Sequence, residues 1–171
     1  MEFQKLARER FSVRDYKDTP IEEEKLRKIL EIGILAPTGA NRQAYKIYAV
    51  TSKDKIEALR AVCPMAFNAP CVLAICADEE ECWHSPYEPG YNTYDIDGSI
   101  VTTHLMLAAW DLGIGSCWVR KYDKPPVMEA LEIPENLTLM SLLPIGYAAD
   151  GCEPAKKHFD TKTFEELVEY I

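Results

Sequence analysis

One segment constrains the fold of this chain more than any other, because its spacing is helical while nearly all of its sides are apolar. Between Asp97 and Leu112, apolar residues occupy most positions, including Leu105 and Trp110. A helix that is apolar nearly all round is buried. In a chain of 171 residues, complete burial of one helix indicates that it packs in the core and also against a partner subunit.

Helix and strand patterns alternate along the rest of the sequence. Helix patterns cover residues 2–10, 20–36, 53–62, 97–112, 125–131 and 163–171. Strand patterns cover residues 11–16, 44–51, 71–77, 116–119 and 138–145, and residues 78–95 are predicted to form a loop or lid. Since no repeat or linker interrupts this order, residues 1–171 are expected to form one domain. The predicted fold class is α+β, with a mixed or mostly antiparallel sheet wrapped by helices.

The second helix has the clearest end signals. Thr19, Pro20 and Glu22 stand in the order of a helix start, with Thr as the N-cap, Pro at the first position and Glu at the third. Pro37 is predicted to stop this helix. Gly113 is predicted to cap the end of the apolar helix.

The charge of the chain excludes some classes of partner. Lys and Arg number 19 against 28 Asp and Glu, so the formal net charge is −9. An acidic surface repels phosphodiester backbones and anionic lipids, so we expect neither nucleic-acid nor membrane binding. The N-terminal residues lack an apolar signal core, and no apolar run approaches the ~18 residues of a membrane span. The sequence therefore predicts a cytoplasmic protein.

The cysteines give no sign of a metal centre. None of the six forms a C-x-x-C pair, and Cys76, Cys82 and His84 fit the spacing of no standard zinc module. In a reducing cytosol we expect buried thiols, with no metal bound.

A basic element near the N-terminus could bind an anion. In an extended segment Arg10, Ser12 and Arg14 would point to one side, because strand side chains alternate. Two guanidinium groups and a hydroxyl match phosphate oxygens. The alternative is a solvated edge on which the arginines pair with Glu9 and Asp15. Lysines 156 and 157 in the tail could complete the anion site or simply be solvated.

Two polar loops follow helices. Residues 36–43 form a Gly-containing loop in which Asn41 and Gln43 could bind the edge of a heteroaromatic ring. Taken alone, the loop is better explained as an ordinary helix stop and turn, which Pro37 and Gly39 account for unaided. Residues 113–120 are not a dinucleotide fingerprint, because the last glycine is missing and the segment leaves a helix instead of opening one.

Taken in chain order, these segments resemble the nitroreductase family. That family typically carries an R-x-S-x-R element, an A-P-S-x-x-N-x-Q-P loop, a G-L-G-S-C-W element after a buried helix, and an L-P-x-G-Y strand before a basic tail. The matching segments are Arg10–Arg14, Ala36–Gln43, Asn68–Pro70, Leu112–Trp118, and Leu143–Tyr147 with Lys156 and Lys157. Thr38-Gly39 stand where two serines are common, Ala44 replaces the usual proline, and His158 stands where an arginine is expected.

The resemblance implies an intertwined homodimer of nitroreductase-like fold with FMN at the subunit interface. The residues it implies for FMN binding are Arg10, Phe11, Ser12, Arg14, Pro37, Thr38, Gly39, Asn41, Gln43, Cys117, Trp118, Val119, Arg120, Lys156 and Lys157. The N-terminal basic element and a tail lysine would hold the phosphate and ribityl chain. The loop of residues 37–41 would come from the other subunit, and the backbone around residues 118–120 would lie by the flavin ring.

The activity implied is that of an FMN-dependent NAD(P)H oxidoreductase. Two electrons pass from NADH or NADPH through flavin N5 to a small electron-poor acceptor, such as a nitroaromatic or a quinone, and the protein needs no catalytic side chain. Two alternatives stay open. The altered loop and the short lid predicted at residues 78–95 suggest an FMN-binding protein without reductase turnover. Tyr87, Tyr91 and Tyr94 suggest a specialised flavin enzyme of the dehalogenase or flavin-fragmenting type.

Overall fold

The strand β2 (Cys71–Ala77) lies at the centre of the fold, and all of its residues are buried. Successive side chains of a strand point to opposite faces, so β2 supplies two separate cores. Val72 and Ala74 enter one core, and Leu73 and Ile75 enter the other. The continuous apolar run of this strand is explained by helices that cover both faces of the sheet.

The computed structural model describes residues 2–171. Six α-helices and four strands lie within them. The helices are α1 (Phe3–Glu9), α2 (Glu23–Gly33), α3 (Lys53–Val62), α4 (Tyr94–Asp111), α5 (Lys124–Leu131) and α6 (Phe164–Leu167). The other strands are β1 (Tyr45–Val50), β3 (Gly115–Ser116) and β4 (Thr138–Gly146). The strand order is β1-β2-β4-β3 and every pair is antiparallel, which confirms the predicted α+β class.

Helices cover the sheet in two layers. Ile56 of α3 and Val127 of α5 pack in the core on the Val72 side of β2. Ile29 of α2 and Leu105 of α4 pack in the core on the opposite side. The central position of α4 therefore agrees with its apolar sequence.

One chain buries α4 only in part, so the predicted packing of its other side against a partner subunit stays a prediction. Val101 and Leu105 are fully buried against the sheet, whereas Ile96 is 46% exposed and Ile100 is half-buried. The outer apolar side of α4 is thus left uncovered by residues 2–171.

Within the described residues, no helix is long and apolar enough to cross a membrane.

The start of α2 also differs from its prediction. The helix begins at Glu23 with Glu22 as the N-cap residue, and no side chain caps it. The Glu22 carboxylate instead accepts a 2.6 Å hydrogen bond from the Tyr147 hydroxyl. This tertiary bond uses the carboxylate that a capping box at Thr19 would have needed. The helix also ends at Gly33, before Pro37, and its last residues tighten into turns.

The predicted strand at 116–119 is shorter than expected. Only Gly115 and Ser116 pair continuously with β4, and Val119 forms an isolated bridge to Leu142. The Cys117 N–H donates to the carbonyl oxygen of Pro144, but proline has no N–H to donate in return. The ladder is therefore interrupted at this point.

The predicted C-terminal helix is wrong over most of its length. Only Phe164–Leu167 are helical, after a capping box formed by Thr163 and Glu166. Every residue from 159 to 171 is exposed, so no packing within this chain stabilises a longer helix.

Candidate functional site

Residues 11–16 lie along the edge of the sheet at β3, extended as predicted. The Val13 N–H donates to the carbonyl oxygen of Ser116 over 2.9 Å, and Ser12 pairs with Ser116 as a parallel bridge. Val13 is fully buried against Gly115. This contact fixes the depth at which the segment lies on the sheet.

The outer side of this segment brings together Ser12, Arg14 and Cys117. Burial raises the pKa of the Cys117 thiol, while the charge of Arg14 and hydrogen bonding with Ser12 and Arg14 oppose that rise. Arg14 Nη1 also donates to the Ser12 carbonyl oxygen over 3.2 Å, and its side chain stays exposed. Ser12 and Arg14 therefore both reach Cys117, and the place of Arg10 on the same side stays a prediction.

Phe11 connects this segment to the tail of the chain. Its ring lies edge-on to the ring of Trp110, with centroids 5.2 Å apart, and edge-on to the ring of His158 at 6.5 Å. His158 belongs to the same short 3-10 helix as Lys156 and Lys157. The short helix that carries the tail lysines therefore packs beside the N-terminal segment, and the role of the lysines in an anion site stays a prediction.

The two segments that meet through Phe11 and His158 carry four cations, which we call the basic cluster. They are Arg10, Arg14, Lys156 and Lys157. Among residues 2–171, no carboxylate forms an ion pair with any of them. Glu9 lies 3.8 Å from Lys5, and Asp15 accepts a 2.9 Å hydrogen bond from Asn68. The alternative in which the two arginines pair with Glu9 and Asp15 is therefore wrong.

The loop of residues 37–43 has a strained backbone. Ala40, Asn41 and Gln43 all have positive φ angles, of 47°, 55° and 53°. Asn adopts this conformation readily, but for Ala and Gln it costs roughly 1–3 kcal/mol each. Inside the loop, the Gln43 N–H donates to Thr38 Oγ1 over 3.0 Å. The loop therefore has a defined shape, and its binding of a heteroaromatic ring stays a prediction.

The loop is joined to the first turn of α4. The Gly39 N–H donates to Asp97 Oδ1 over 2.9 Å, and the Thr93 hydroxyl donates to Asp97 Oδ2 over 2.9 Å. Asp97 is 3% exposed. A Cβ on Gly39 would lie 2.6 Å from Thr93 Oγ1 and 2.8 Å from Trp83 Cβ, so only glycine fits there.

The segment after β3 returns along the sheet toward the start of α4. Val119 is buried and exchanges backbone hydrogen bonds with Leu142, while Trp118 is 36% exposed. Arg120 Nη1 donates to Asp95 Oδ1 over 2.6 Å. Of these predicted site residues, Trp118 and Arg120 face outward, and Arg120 lies close to the N-terminal end of α4.

One chain does not bring the whole predicted site together. The loop is attached to α4 at Asp97, and Phe11 packs on α4 at Trp110. A rise of 1.5 Å per residue puts these attachment points about 20 Å apart along the helix. The basic cluster and the loop of one chain therefore lie at opposite ends of α4.

Asp95 and Asp97 are not among the site residues predicted from the sequence. Both lie in the first turn of an otherwise apolar helix, where their charges also favour the helix N-terminus. A carboxylate at the edge of a buried apolar segment is the signal that could have identified Asp97. Its partner Gly39 is 58 residues away in sequence, so the bond itself could not be read from the sequence.

The cysteines are all free thiols, and five of them are buried. Burial raises the pKa of Cys71 and of Cys76 to about 12. Over residues 2–171, no group of three or more His, Cys, Asp or Glu side chains is arranged to hold a metal ion.

Comparison with known proteins places the chain in a family. The sequence model of the nitroreductase family matches residues 7–63 and 60–147. The chain belongs to the nitroreductase family. It is 33% identical to a putative NADH dehydrogenase/NAD(P)H nitroreductase of Archaeoglobus fulgidus, over 85% of each chain.

Solved structures of nitroreductases share this fold. A nitroreductase family protein from Clostridium difficile 630 is 35% identical, with a TM-score of 0.91 over 99% of this chain and 98% of that one. An FMN-dependent nitroreductase from Clostridium difficile R20291 is 28% identical, with a TM-score of 0.79 over 96% of each chain. The predicted nitroreductase-like fold is therefore confirmed.

Proposed function

We propose that this nitroreductase family member is an FMN-dependent oxidoreductase that passes two electrons from NADH or NADPH to a small electron-poor acceptor. The observation that carries the proposal is the basic cluster. Two segments joined by the Phe11–His158 contact carry four cations that no carboxylate of residues 2–171 pairs with, in a chain whose net charge is −9. Such a cluster favours a ligand that brings its own negative charge.

The residues present fit the phosphate and ribityl chain of FMN. The exposed Arg14 guanidinium donates to the Ser12 carbonyl oxygen and interacts with the Cys117 thiol, and its fork of five N–H donors can also bind phosphate oxygens. Arg10 has extended backbone, so alternation puts it on the same side as Ser12 and Arg14. The Ser12 hydroxyl and one tail lysine would complete the set of donors. A phosphate with roughly −1.5 to −2 charges would be held by these local cations in spite of the acidic surface.

The segment 117–120 would lie beside the flavin ring. Trp118 offers an exposed aromatic face, and Arg120 offers positive charge next to Asp95. When bound, FMN supplies the two-electron chemistry. The chain's own residues bind the cofactor, exclude water and provide positive charge near the ring, and none of them needs to act as an acid or base.

A homodimer is supported by the apolar surface that one chain leaves exposed. A groove of about 450 Å³ runs between α1, α2 and α4, and a second of about 350 Å³ follows the outer side of α4. The first groove is lined by apolar residues that include Phe3, Ile32 and Leu107. Apolar surface of this kind is covered in stable proteins, and a second copy would cover it.

The C-terminal arm supports an intertwined dimer in particular. Residues 159–171 are all exposed and include Phe164, Leu167 and Tyr170, whose exposed fractions are 58%, 67% and 87%. An arm with so many exposed apolar residues is stable only when it packs on another surface. We place that surface on the partner subunit.

The separation of loop and basic cluster gives the dimer a role in catalysis. Because the two lie at opposite ends of α4 in one chain, each flavin would be bound by the basic cluster of one subunit and by residues 37–43 of the other. Pro37, Thr38, Gly39, Asn41 and Gln43 would then contact the partner's FMN. The site would be complete only in the dimer.

An absorbance spectrum of the purified protein tests the proposal. FMN bands that anaerobic NADH or NADPH bleaches, and that a quinone or nitroaromatic restores, are the expected result. Bound flavin that neither nucleotide bleaches would refute reductase turnover and leave a flavin-binding protein. No binding after reconstitution with FMN would refute the whole proposal. Light scattering should give twice the mass of one chain.

A further inference from the structure

We infer that Asp97 is a positioning residue that holds residues 37–43 in the shape that contacts FMN, and that it acts on the FMN of the partner subunit. The inference rests on the proposed function. Asp97 itself is buried and would not touch the cofactor.

The two oxygens of Asp97 join the loop to the helix. Oδ1 accepts from the Gly39 N–H and Oδ2 accepts from the Thr93 hydroxyl, each over 2.9 Å. Asp97 lies in the first turn of α4, where free backbone N–H groups favour a negative charge. The carboxylate is thus a fixed point to which the loop backbone is attached.

The loop needs such an attachment. Ala40 and Gln43 adopt left-handed backbone conformations that a free chain rarely populates. The internal bond from Gln43 to Thr38 closes the loop but does not fix it to the body of the protein. The bond from Gly39 to Asp97 does so, and Gly39 approaches Thr93 and Trp83 too closely for any side chain.

The position of the loop determines which flavin Asp97 affects. The loop lies at the N-terminal end of α4, about 20 Å along the helix from where Phe11 attaches the basic cluster of the same chain. The loop of one subunit would therefore contact the FMN held by the basic cluster of the other. A defect at Asp97 would weaken the partner's site and leave the site of its own chain intact.

The first test measures amide hydrogen exchange of the loop in the FMN-free protein, and then the FMN dissociation constant, in two variants and a matched control. Asp97→Asn removes the charge and keeps the size, and Thr93→Val removes the hydroxyl that donates to Asp97. Thr102→Val is the control, because Thr102 is also buried in α4 and its hydroxyl bonds the Gly98 carbonyl oxygen and the Ser141 hydroxyl, neither of which belongs to the loop.

In the two variants, amide hydrogen exchange at residues 38–43 of the FMN-free protein should be faster than in the control. The FMN dissociation constant should rise about tenfold in Asp97→Asn, the effect of losing one charge-assisted hydrogen bond. The control should change neither quantity. Unchanged exchange at the loop, or unchanged FMN affinity, in both variants overturns the inference. If the wild-type protein never binds FMN, the proposed function fails instead, and its spectrum shows this independently.

The second test asks which subunit is affected. Asp97→Asn chains are mixed with Arg14→Ala chains under conditions that exchange subunits. Each mixed dimer then contains one site with both an intact Arg14 and an intact loop. With random exchange, about a quarter of all sites should bind FMN with wild-type affinity, because half of the two-fold dimers are mixed. If no such sites appear, Asp97 does not act on the partner's FMN and the inference is wrong.

Discussion

Val13 and Gly115 are in such close contact that a Cβ on Gly115 would lie 2.6 Å from Val13 Cγ2. The same contact is reinforced by the 2.9 Å hydrogen bond from the Val13 N–H to Ser116. It sets how deeply residues 10–14 lie on the sheet, and so it places Ser12 and Arg14 against Cys117.

Gly115→Ala should therefore weaken both the fold and the FMN site. The added methyl group pushes Val13 outward, with a loss of roughly 1–3 kcal/mol in the free energy of unfolding. The FMN dissociation constant should rise as well, because Ser12 and Arg14 move with Val13. Gly90→Ala is the control: Gly90 also resists substitution through its φ of 84°, but a Cβ there meets no atom within 4 Å. An FMN affinity that falls equally in both variants would contradict this role of the contact.

Arg14→Ala should reduce FMN affinity by roughly 10- to 100-fold, the effect of losing hydrogen bonds to a charged group. The reduction should be smaller at high salt, because salt screens the exposed guanidinium in the wild-type protein. Arg27→Ala is a matched control, since Arg27 is an exposed arginine of α2 that pairs with Glu31. Titration of FMN by fluorescence measures both. Equal affinities of the two variants would show that Arg14 does not bind the phosphate.

The elements with the most apolar sequences were the most predictable. The apolar run of β2 and the apolar pattern of α4 depend on burial alone, and both elements are present. Element ends were less predictable where a distant residue decides them. The Tyr147 hydroxyl bonds Glu22 and moves the start of α2, and Pro144 interrupts the strand after Ser116.

In the candidate site, too, relations between neighbours in sequence were predictable and contacts between distant residues were not. Alternation along residues 10–14 predicts that Ser12 and Arg14 share one side, because that relation is local. The attachment of Gly39 to Asp97 spans 58 residues, and no local pattern encodes it. The C-terminal arm was predicted as a helix from its own sequence, yet its exposed residues lack the packing that would extend that helix.

Tyr16→Phe should destabilise the protein without changing its surface. The Tyr16 hydroxyl is buried and contacts two carbonyl oxygens, of Val13 at 2.6 Å and of Pro144 at 3.1 Å. Removing it leaves the buried carbonyl oxygen of Val13 without this donor, at a cost of about 1–3 kcal/mol in the free energy of unfolding, whereas that of Pro144 keeps its bond from the Cys117 N–H. Urea unfolding should show a lower midpoint with an unchanged slope. Tyr87→Phe, at a site 93% exposed, should have no effect, and a similar loss there would refute the explanation.

Asp95→Asn should change the reduction potential of the bound flavin, with little effect on the free energy of unfolding. The ion pair with Arg120 is about half exposed, so its loss should alter the free energy of unfolding by less than about 1 kcal/mol. Arg120 would then offer uncompensated positive charge near the ring, which favours the reduced, anionic flavin. A rise in the reduction potential of about 30 mV would correspond to about 1.4 kcal/mol. Asp150→Asn breaks an exposed pair with Lys17 elsewhere and should leave the potential unchanged. An unchanged potential in Asp95→Asn would remove Arg120 from the flavin site.

The buried thiols of β2 should make the fold sensitive to alkaline pH. Burial raises the pKa of Cys71 and of Cys76 from 9.0 to about 12, so the folded chain keeps protons that the unfolded chain loses. The stability from these thiols is complete below about pH 9 and is lost as the pH rises toward 12, by up to roughly 1.4 kcal/mol per pH unit for each thiol. Urea unfolding between pH 8 and pH 11 should show this decline, and it should be shallower in the double variant Cys71→Ala, Cys76→Ala. Val72→Ala, a buried change in the same strand without a titrating group, should lower stability by the same amount at every pH. A double variant that declines as steeply as the wild type would show that other groups cause the loss.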